Sequence, residues 1–447
     1  MDRMRPLVPV ALGTALVLMT YVTPMASVTA TATSLDAGPA ARAWILSSMS
    51  VGLAGALLVA GALGDRLGRR RIYVAGLISL AVGALICAIA PSSEIFIAAR
   101  VLEGIGGAAI LACGLATLAY HYPLGPARAH ATSVWGASVG LGIGLGVVFA
   151  AAFDIGSGWR ETYAVTCALA VLLILPSLRR IGESAATTPR RVDVPGSALL
   201  VATIILAVSA LTQVRNGFSA STVALAVLTL IVLVAFVLVE RRVAEPLIEP
   251  ALLRHSRFRA ATAGSFVLGA SMIGMASSTP MLMQAGFGRG LWPAILPVVG
   301  WAGTSVVTAL LVRRIPHPLE GPRPVALFLV VVAVGQLIGW HLTQDSGLWR
   351  LMVFSVVAGL GTGVLNALLG REAIAAVPPD FAAMGSGANN TARYLGAAIG
   401  ITLFVTVATH TGNSVVNGWN NATLVAVAIT LSGAALIALT GRVKAAS

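Results

Sequence analysis

Charge is scarce in this chain, and lysine is scarcer still. Only 10% of the 447 residues are charged, and Lys444 is the sole lysine beside a large set of arginines. With 57% hydrophobic residues and a mean hydropathy of +0.91, the polar surface needed to clothe soluble domains of this length is missing. That excludes a soluble globular protein and leaves an integral membrane protein. Cysteine is equally thin. Cys87, Cys113 and Cys167 lie inside apolar runs, odd in number and without metal-type spacing, so they read as small lipid- or helix-facing residues. Neither a disulfide nor a metal site is expected. Other signatures are lacking as well: there is no HExxH, no paired intramembrane carboxylates and no GxxxxGK[ST] phosphate loop. An enzyme and an ATP-driven pump are therefore disfavoured, and no cofactor is expected.

What the chain has in abundance is apolar sequence in lengths of about 20 residues, enough for a helix to cross a hydrocarbon core of about 30 Å. Lipid offers no partner to an open backbone, so such runs become helices. Cutting at charges and Gly/Pro clusters gives fourteen expected spans: 7–32, 43–62, 72–90, 95–120, 133–153, 162–178, 195–213, 220–239, 260–283, 291–312, 325–342, 350–369, 385–410 and 419–440. The first follows Arg3 and Arg5 as a signal peptide would. Its apolar run is too long for an h-region and lacks a small-x-small cleavage site, so it is read as a spanning helix.

An even number of spans puts both termini on one side, and the basic residues agree with that count. Twenty-two of the 29 Lys/Arg fall at the termini and in the loops after spans 2, 4, 6, 8, 10 and 12. Five fall on the other side: Arg42, Arg160, Arg215, Arg289 and Arg350. The richer side is expected to be the cytoplasm. Trp44, Trp159, Trp292, Trp340, Trp349 and Trp419 all fall near the outer boundary, as interfacial indoles would. The net charge of +13 then reflects topology and contact with anionic lipid of the bilayer, and nucleic acid is not expected as a partner. The Ala richness and near-exclusive use of Arg suggest a high-GC bacterial source. The expected location is the bacterial inner (plasma) membrane, as a multi-pass monomer.

Three charges stand inside spans where lipid disfavours them. In "AARVLEGIGGAAILACG", residues 98–114, Arg100 and Glu103 are three apart and share a helix face. Counting from Ile95 at about 1.5 Å per residue places Glu103 roughly 12 Å deep, near the midplane. Asp36, Glu94, Asp154 and Glu372 sit near span ends, which leaves Glu103 as the acid well inside. Burial favours its protonated form and the approach of Arg100 favours its carboxylate, a competition that suits a proton carrier. A static ion pair joining this helix to its neighbours is the bland alternative, and direct substrate contact a third. The other intramembrane cation, Arg393, either lines a cavity or snorkels toward the cytoplasm, and with Asn389 and Asn390 it reads equally as interface.

The loop "GALGDRLGRRR", Gly61 to Arg71, resembles the G-x-L-x-D-R-x-G-R-R signature of the major facilitator superfamily at Gly61, Leu63, Asp65, Arg66, Gly68, Arg69 and Arg70. "RVLEGIGGAA" resembles the superfamily's helix 4 pattern, with Glu103 in place of the common Gln. "WGASVGLGIGLG", residues 135–146, resembles its glycine-rich helix 5 motif, while "EPLIEPALLRHSRF" and "GSGANNTARYLGAAIG" look like the fourteen-helix drug:proton antiporter branch. The resemblance implies an all-α major facilitator fold of two six-helix bundles, 1–180 and 258–447, with two additional helices within 181–257. It also implies that Gly61, Asp65, Arg66, Gly68, Arg69 and Arg70 latch the halves, and that Gly140, Gly142, Gly144 and Gly146 give helix 5 its flexibility. Those glycines equally suit close helix packing. Two departures stand out. Thr20 occupies the place of the branch's helix 1 acid and Met25 that of its Asn, and Gly146 is followed by Val147 where Pro is usual.

With the helix 1 acid absent, Glu103, tuned by Arg100, is the expected proton-coupling group. Polarizable and polar side chains in the spans make Thr20, Tyr21, Met25, Met272, Met275, Trp301, Gln336, Asn366 and Arg393 candidates for a substrate cavity. The expected function is export of an amphipathic drug or secondary metabolite driven by a proton gradient through alternating access. A proton-independent facilitator or importer is the alternative favoured by the two departures. A non-transporting sensor or scaffold predicts long soluble extensions, which this sequence does not contain.

Overall fold

The computed structural model describes residues 6–122, 125–153, 157–185, 193–214, 219–243, 245–246, 252–315, 319–375, 377, 382–410 and 414–440. Among these residues there are fourteen apolar helices and no strand. They are α1 Leu7–Ser34, α2 Pro39–Leu67, α3 Arg69–Ile89, α4 Ser93–His121, α5 Pro126–Ala152, α6 Arg160–Arg180, α7 Val194–Gln213, α8 Ala220–Glu240, α9 Ser256–Gly286, α10 Leu291–Leu311, α11 Pro322–Ile338, α12 Leu348–Ala375, α13 Ala382–His410 and α14 Val415–Thr440. Each expected span coincides with one of them. Arg3, Arg5, Arg190, Arg191, Arg215, Arg442 and Lys444, which carry part of the charge asymmetry, lie outside the described residues, as do Asp154 and 247–251.

Local chemistry sets the helix ends. Ser92, Asp193 and Ser219 accept hydrogen bonds from the first turns of α4, α7 and α8, and prolines at the start of α2, α5 and α11 remove amides that would have no partner. α11 stops at Ile338, short of the expected 342, because the following carbonyls are claimed from elsewhere. Arg350 donates to Trp340 O at 2.9 Å and His341 O at 3.0 Å, and Asn420 pairs with both backbone groups of Leu342. Hydroxyls inside the bundle turn back on their own helices. Along α1, Thr20, Thr23, Ser27 and Thr31 each donate to the carbonyl four residues earlier, so a row of polar residues hides from lipid without a partner helix.

α4 is the axis of the first half, and its glycines explain why. A Cβ on Gly104 would lie 2.4 Å from Met49 O of α2, one on Gly106 2.6 Å from Gly76 O of α3, and one on Gly107 2.9 Å from Val17 of α1. Two neighbours thus bring their backbone, and α1 a valine side chain, against the glycines of one helix. The halves meet along two seams, α2 with α13 and α5 with α10. Toward the end of the bundle that carries the 61–71 loop, Gly387 of α13 faces Leu57 O of α2, and Gly136 of α5 faces Ala367 of α12, beside the α5/α10 seam.

The additional pair does not separate the halves in space. α7 lies alongside the α2/α13 seam, with Val201 filling the notch at Gly55 and Thr406 of α13 donating to Leu211 O. α8 packs on α7 and leaves most of its surface to lipid. Two of the tryptophans expected near the outer boundary face protein. Trp159 and Trp419 are buried: Trp159 meets Phe96 edge-on and carries Arg160 over its ring, and Trp419 donates to Gly339 O at 2.8 Å. Trp292 and Trp349 are exposed, as interfacial residues would be.

Candidate functional site

Pro24 lies inside α1 and has no amide hydrogen, so the carbonyl of Thr20 has no helical donor. Arg100 supplies one from α4. Its Nη1 donates to Thr20 O at 3.0 Å and to Glu103 Oε2 at 2.6 Å, while Nη2 reaches Tyr21 O at 3.3 Å. Both side chains of the pair are fully buried. The guanidinium also lies 5.9 Å from the ring centre of Tyr163 on α6, within reach of a cation–π attraction. Glu103 turns toward α3 into a space left by Gly83, whose Cβ would come within 2.6 Å of Glu103 Cγ. Its second oxygen, Oε1, and Arg100 Nε find no partner among the described residues. The pair therefore buttresses a proline-broken stretch of α1 and keeps one carboxylate oxygen unused.

That stretch of α1 forms one wall of a narrow cavity between the two halves, which is nearly closed in this conformation. α1 and α5 face α9, α10, α12 and α13 across it, so both halves contribute. Tyr21, Met25, Trp301, Asn366 and Arg393 line it, together with Leu18, Val22, Ile143, Thr362 and Tyr394. Tyr21 and Tyr394 meet edge to face at 5.5 Å across the two halves, and Tyr21 OH is hydrogen-bonded to Ser50 of α2 at 2.9 Å. Trp301 Nε1 donates to Thr362 Oγ1 at 3.1 Å, and Asn366 takes Arg393 Nη1 on its side-chain oxygen at 2.9 Å. Arg393 does not snorkel; it is 3% exposed and points into this cavity. Neither Asn389 nor Asn390 lines the cavity: Asn389 accepts from Ser265 of α9 and Asn390 turns to Ser386.

Four of the expected cavity residues lie elsewhere. Thr20 turns its hydroxyl to Leu16 O and offers only its carbonyl, to Arg100. Met272 and Met275 are buried in packing, with Met275 against Gly339 after α11. Gln336 accepts from Thr430 Oγ1 at 2.8 Å, joining α11 to α14. α9 departs from regular geometry at two π turns, Gly269–Ile273 and Leu282–Gly286. The first contributes Ile273 to the cavity wall, and each extra residue rotates the face that follows. The glycines of α5 divide between two partners: Gly142 and Gly146 lie against α1, Gly140 and Gly144 against α10.

At the bundle end, Arg69 holds Asp65 through Nε at 3.0 Å and Nη2 at 2.8 Å. Gly68, at φ +107°, makes the turn between α2 and α3 in a conformation other residues rarely adopt. Glu183 caps α3 by accepting from Arg70 N at 3.0 Å and lies 3.6 Å from Arg70 Nε, while Ser184 O accepts from Arg69 N. Gly61 is buried and Arg66 exposed. A cluster that the sequence did not single out occupies the corresponding place in the second half. Arg257 Nε and Nη2 bind the two oxygens of the buried Glu372 at 2.7 and 3.1 Å, with Glu320 on the same guanidinium. The signal was present in "EPLIEPALLRHSRF", but Glu372 lies 115 residues away in sequence.

Helices from both ends of the chain surround the central cavity, and the sequence pattern of the Major Facilitator Superfamily matches residues 10–401. The chain belongs to that superfamily. It is 32% identical over 378 residues to the probable actinorhodin transporter of Streptomyces coelicolor, a match covering 81% of this chain and 65% of that protein. To the puromycin resistance protein of Streptomyces alboniger it is 30% identical, covering 82% and 74%. To the multidrug efflux pump LfrA of Mycolicibacterium smegmatis it is 27% identical, covering 82% and 73%. Among solved structures it superposes on the human organic anion transporter MFSD10 with a TM-score of 0.67 at 18% identity, covering 98% of this chain and all of that one. The proton:xylose symporter XylE gives 0.68 at 14%, covering 98% and 94%. These two likenesses establish the fold. The superfamily comprises multi-pass membrane transporters, not enzymes.

Proposed function

We propose that this superfamily member exports amphipathic drug-like molecules or secondary metabolites in exchange for protons, by alternating access, from a bacterial plasma membrane with both termini in the cytoplasm. Similarity to a probable actinorhodin transporter, a puromycin resistance protein and a multidrug efflux pump supports export, and the arginine asymmetry supports the orientation. The observation that carries the proton coupling is the link from Glu103 through Arg100 to the carbonyls of Thr20 and Tyr21, beside the cavity wall.

As a carboxylate, Glu103 neutralises Arg100 and the pair tolerates burial. Protonation leaves Arg100 as an uncompensated buried cation, a state that breaking such a pair penalises by about 3–5 kcal/mol. The penalty falls in any conformation that gives Arg100 water or another acceptor, so proton uptake favours a rearrangement of α1 and hence of Tyr21 in the cavity. Gly387 against Leu57 and Gly136 against Ala367 close the halves at the 61–71 end, which suits a state closed toward the cytoplasm. A static pair is the second reading, favoured by the packing of Glu103 toward α3 and away from the cavity. A substrate screen in proteoliposomes with an imposed pH gradient, recording substrate and proton movement together, tests the proposal. Gradient-dependent efflux of an amphipathic compound is expected. Substrate movement indifferent to the gradient contradicts it.

A further inference from the structure

We infer that the central cavity takes an amphipathic organic anion, whose carboxylate or similar planar oxyanion docks side-on to the Nε and Nη2 edge of Arg393. The inference rests on reading this cavity as the transport site. Arg393 Nη1 is occupied by Asn366 Oδ1 at 2.9 Å. Nε and Nη2 have no acceptor among the described residues, although the side chain is buried. Among the described residues, no acid lines the cavity and no carboxylate pairs with Arg393.

The vacant edge is the one this protein uses elsewhere to hold carboxylates. Arg69 grips Asp65 through Nε and Nη2, and Arg257 binds both oxygens of Glu372 through the same two nitrogens. Parallel N–H donors on that edge match the two oxygens of a carboxylate. Arg393 thus presents the same fork with nothing in it. A guanidinium in a membrane interior without a counter-charge is costly and marks a functional position. Its placement is also enforced: Gly269 brings α9 so close that a Cβ there would lie 2.0 Å from Arg393 O.

The surroundings define the rest of the ligand. Tyr21, Tyr394, Trp301, Met25 and Ile143 form an apolar, largely aromatic wall around the fork, so the anion should carry an aromatic or similarly flat apolar body. A lipophilic cation would meet a positive charge with no acid to offset it and should be rejected.

The test uses three probes of one aromatic body: 1-pyrenebutyrate, its methyl ester and 1-pyrenebutylamine, bound to the purified full chain in nanodiscs and read by pyrene fluorescence. The anion is expected to bind at least about tenfold more tightly than the ester and more tightly still than the amine, since a charge-assisted bidentate contact is worth about 1.4 kcal/mol or more. Arg393→Gln should remove the anion's advantage and leave ester binding within about twofold, which also reports that the variant folds. Arg393→Lys should keep part of it. Equal or weaker binding of the anion in the unmodified protein, no measurable binding of pyrenebutyrate, or an advantage that survives Arg393→Gln overturns the inference. Arg393-dependent anion binding without flux under a pH gradient would count against the exporter reading and support the docking site. Gradient-driven transport of cations alone would do the reverse.

Discussion

Arg100 hydrogen-bonds the carbonyl of Thr20 at 3.0 Å, the carbonyl that Pro24 leaves without its helical donor. One guanidinium thus ties a buried acid to a break in the helix that walls the cavity, and the break is written in the sequence as a single proline.

Pro24→Ala restores an amide at position 24 that can bond Thr20 O and compete with Arg100. The helix gains a hydrogen bond, so thermal stability is expected to hold or rise, while gradient-driven flux falls about tenfold because Glu103 loses its grip on α1. Melting temperature and flux measured on the same preparation check this; unchanged flux would remove the proline break from the mechanism.

Asp65→Asn removes the ion pair with Arg69 but leaves the Glu183 and Ser184 contacts that cap α3. Turnover is expected to drop about tenfold while equilibrium binding of a cavity ligand changes less than about twofold, as befits a contact that biases conformations without touching ligand. A large loss of affinity with normal turnover would contradict a latch role.

The bundle was legible in the sequence because a spanning helix must be apolar for about 20 residues and its ends must not be. The pairing of Arg100 and Glu103 followed from their spacing. What the pattern did not reveal was rotation of each helix about its axis. Met272 and Met275 face packing and not the cavity because the π turns of α9 and the glycines it shares with α13 fix its azimuth. Tyr394 lies beside Arg393 in "TARYLG", yet only the meeting with Tyr21 marks it as a cavity residue. Trp159 and Trp419 sit at interfacial positions in the sequence, but aromatic and backbone partners bury them. The Arg257–Glu372 pair joins residues too far apart in sequence for any periodicity to connect.

Arg100→Met separates coupling from architecture. Removing the cation deprives the Glu103 carboxylate of its partner, so deprotonation within the cycle requires a higher pH, and the pH optimum of transport should move upward as the maximal rate falls. Stability should fall by about 3–5 kcal/mol, as when any buried pair is broken. The double change Arg100→Met with Glu103→Leu removes both charges and should recover much of that stability without recovering flux. An unchanged pH optimum in the single variant, with stability restored in the double, would leave the pair as structure alone.

The most direct measurement of the central claim is simultaneous recording of substrate efflux and proton uptake in proteoliposomes containing the unmodified protein or Glu103→Gln. The amide is nearly isosteric with the carboxyl and can still accept from Arg100, but it cannot titrate. The account predicts that the variant folds with lowered stability, as the uncompensated Arg100 requires, and retains substrate exchange, with proton movement abolished and gradient-driven efflux lost by at least about a hundredfold, the loss expected when a required proton carrier is removed. Undiminished gradient-driven efflux with accompanying proton uptake in Glu103→Gln would contradict it.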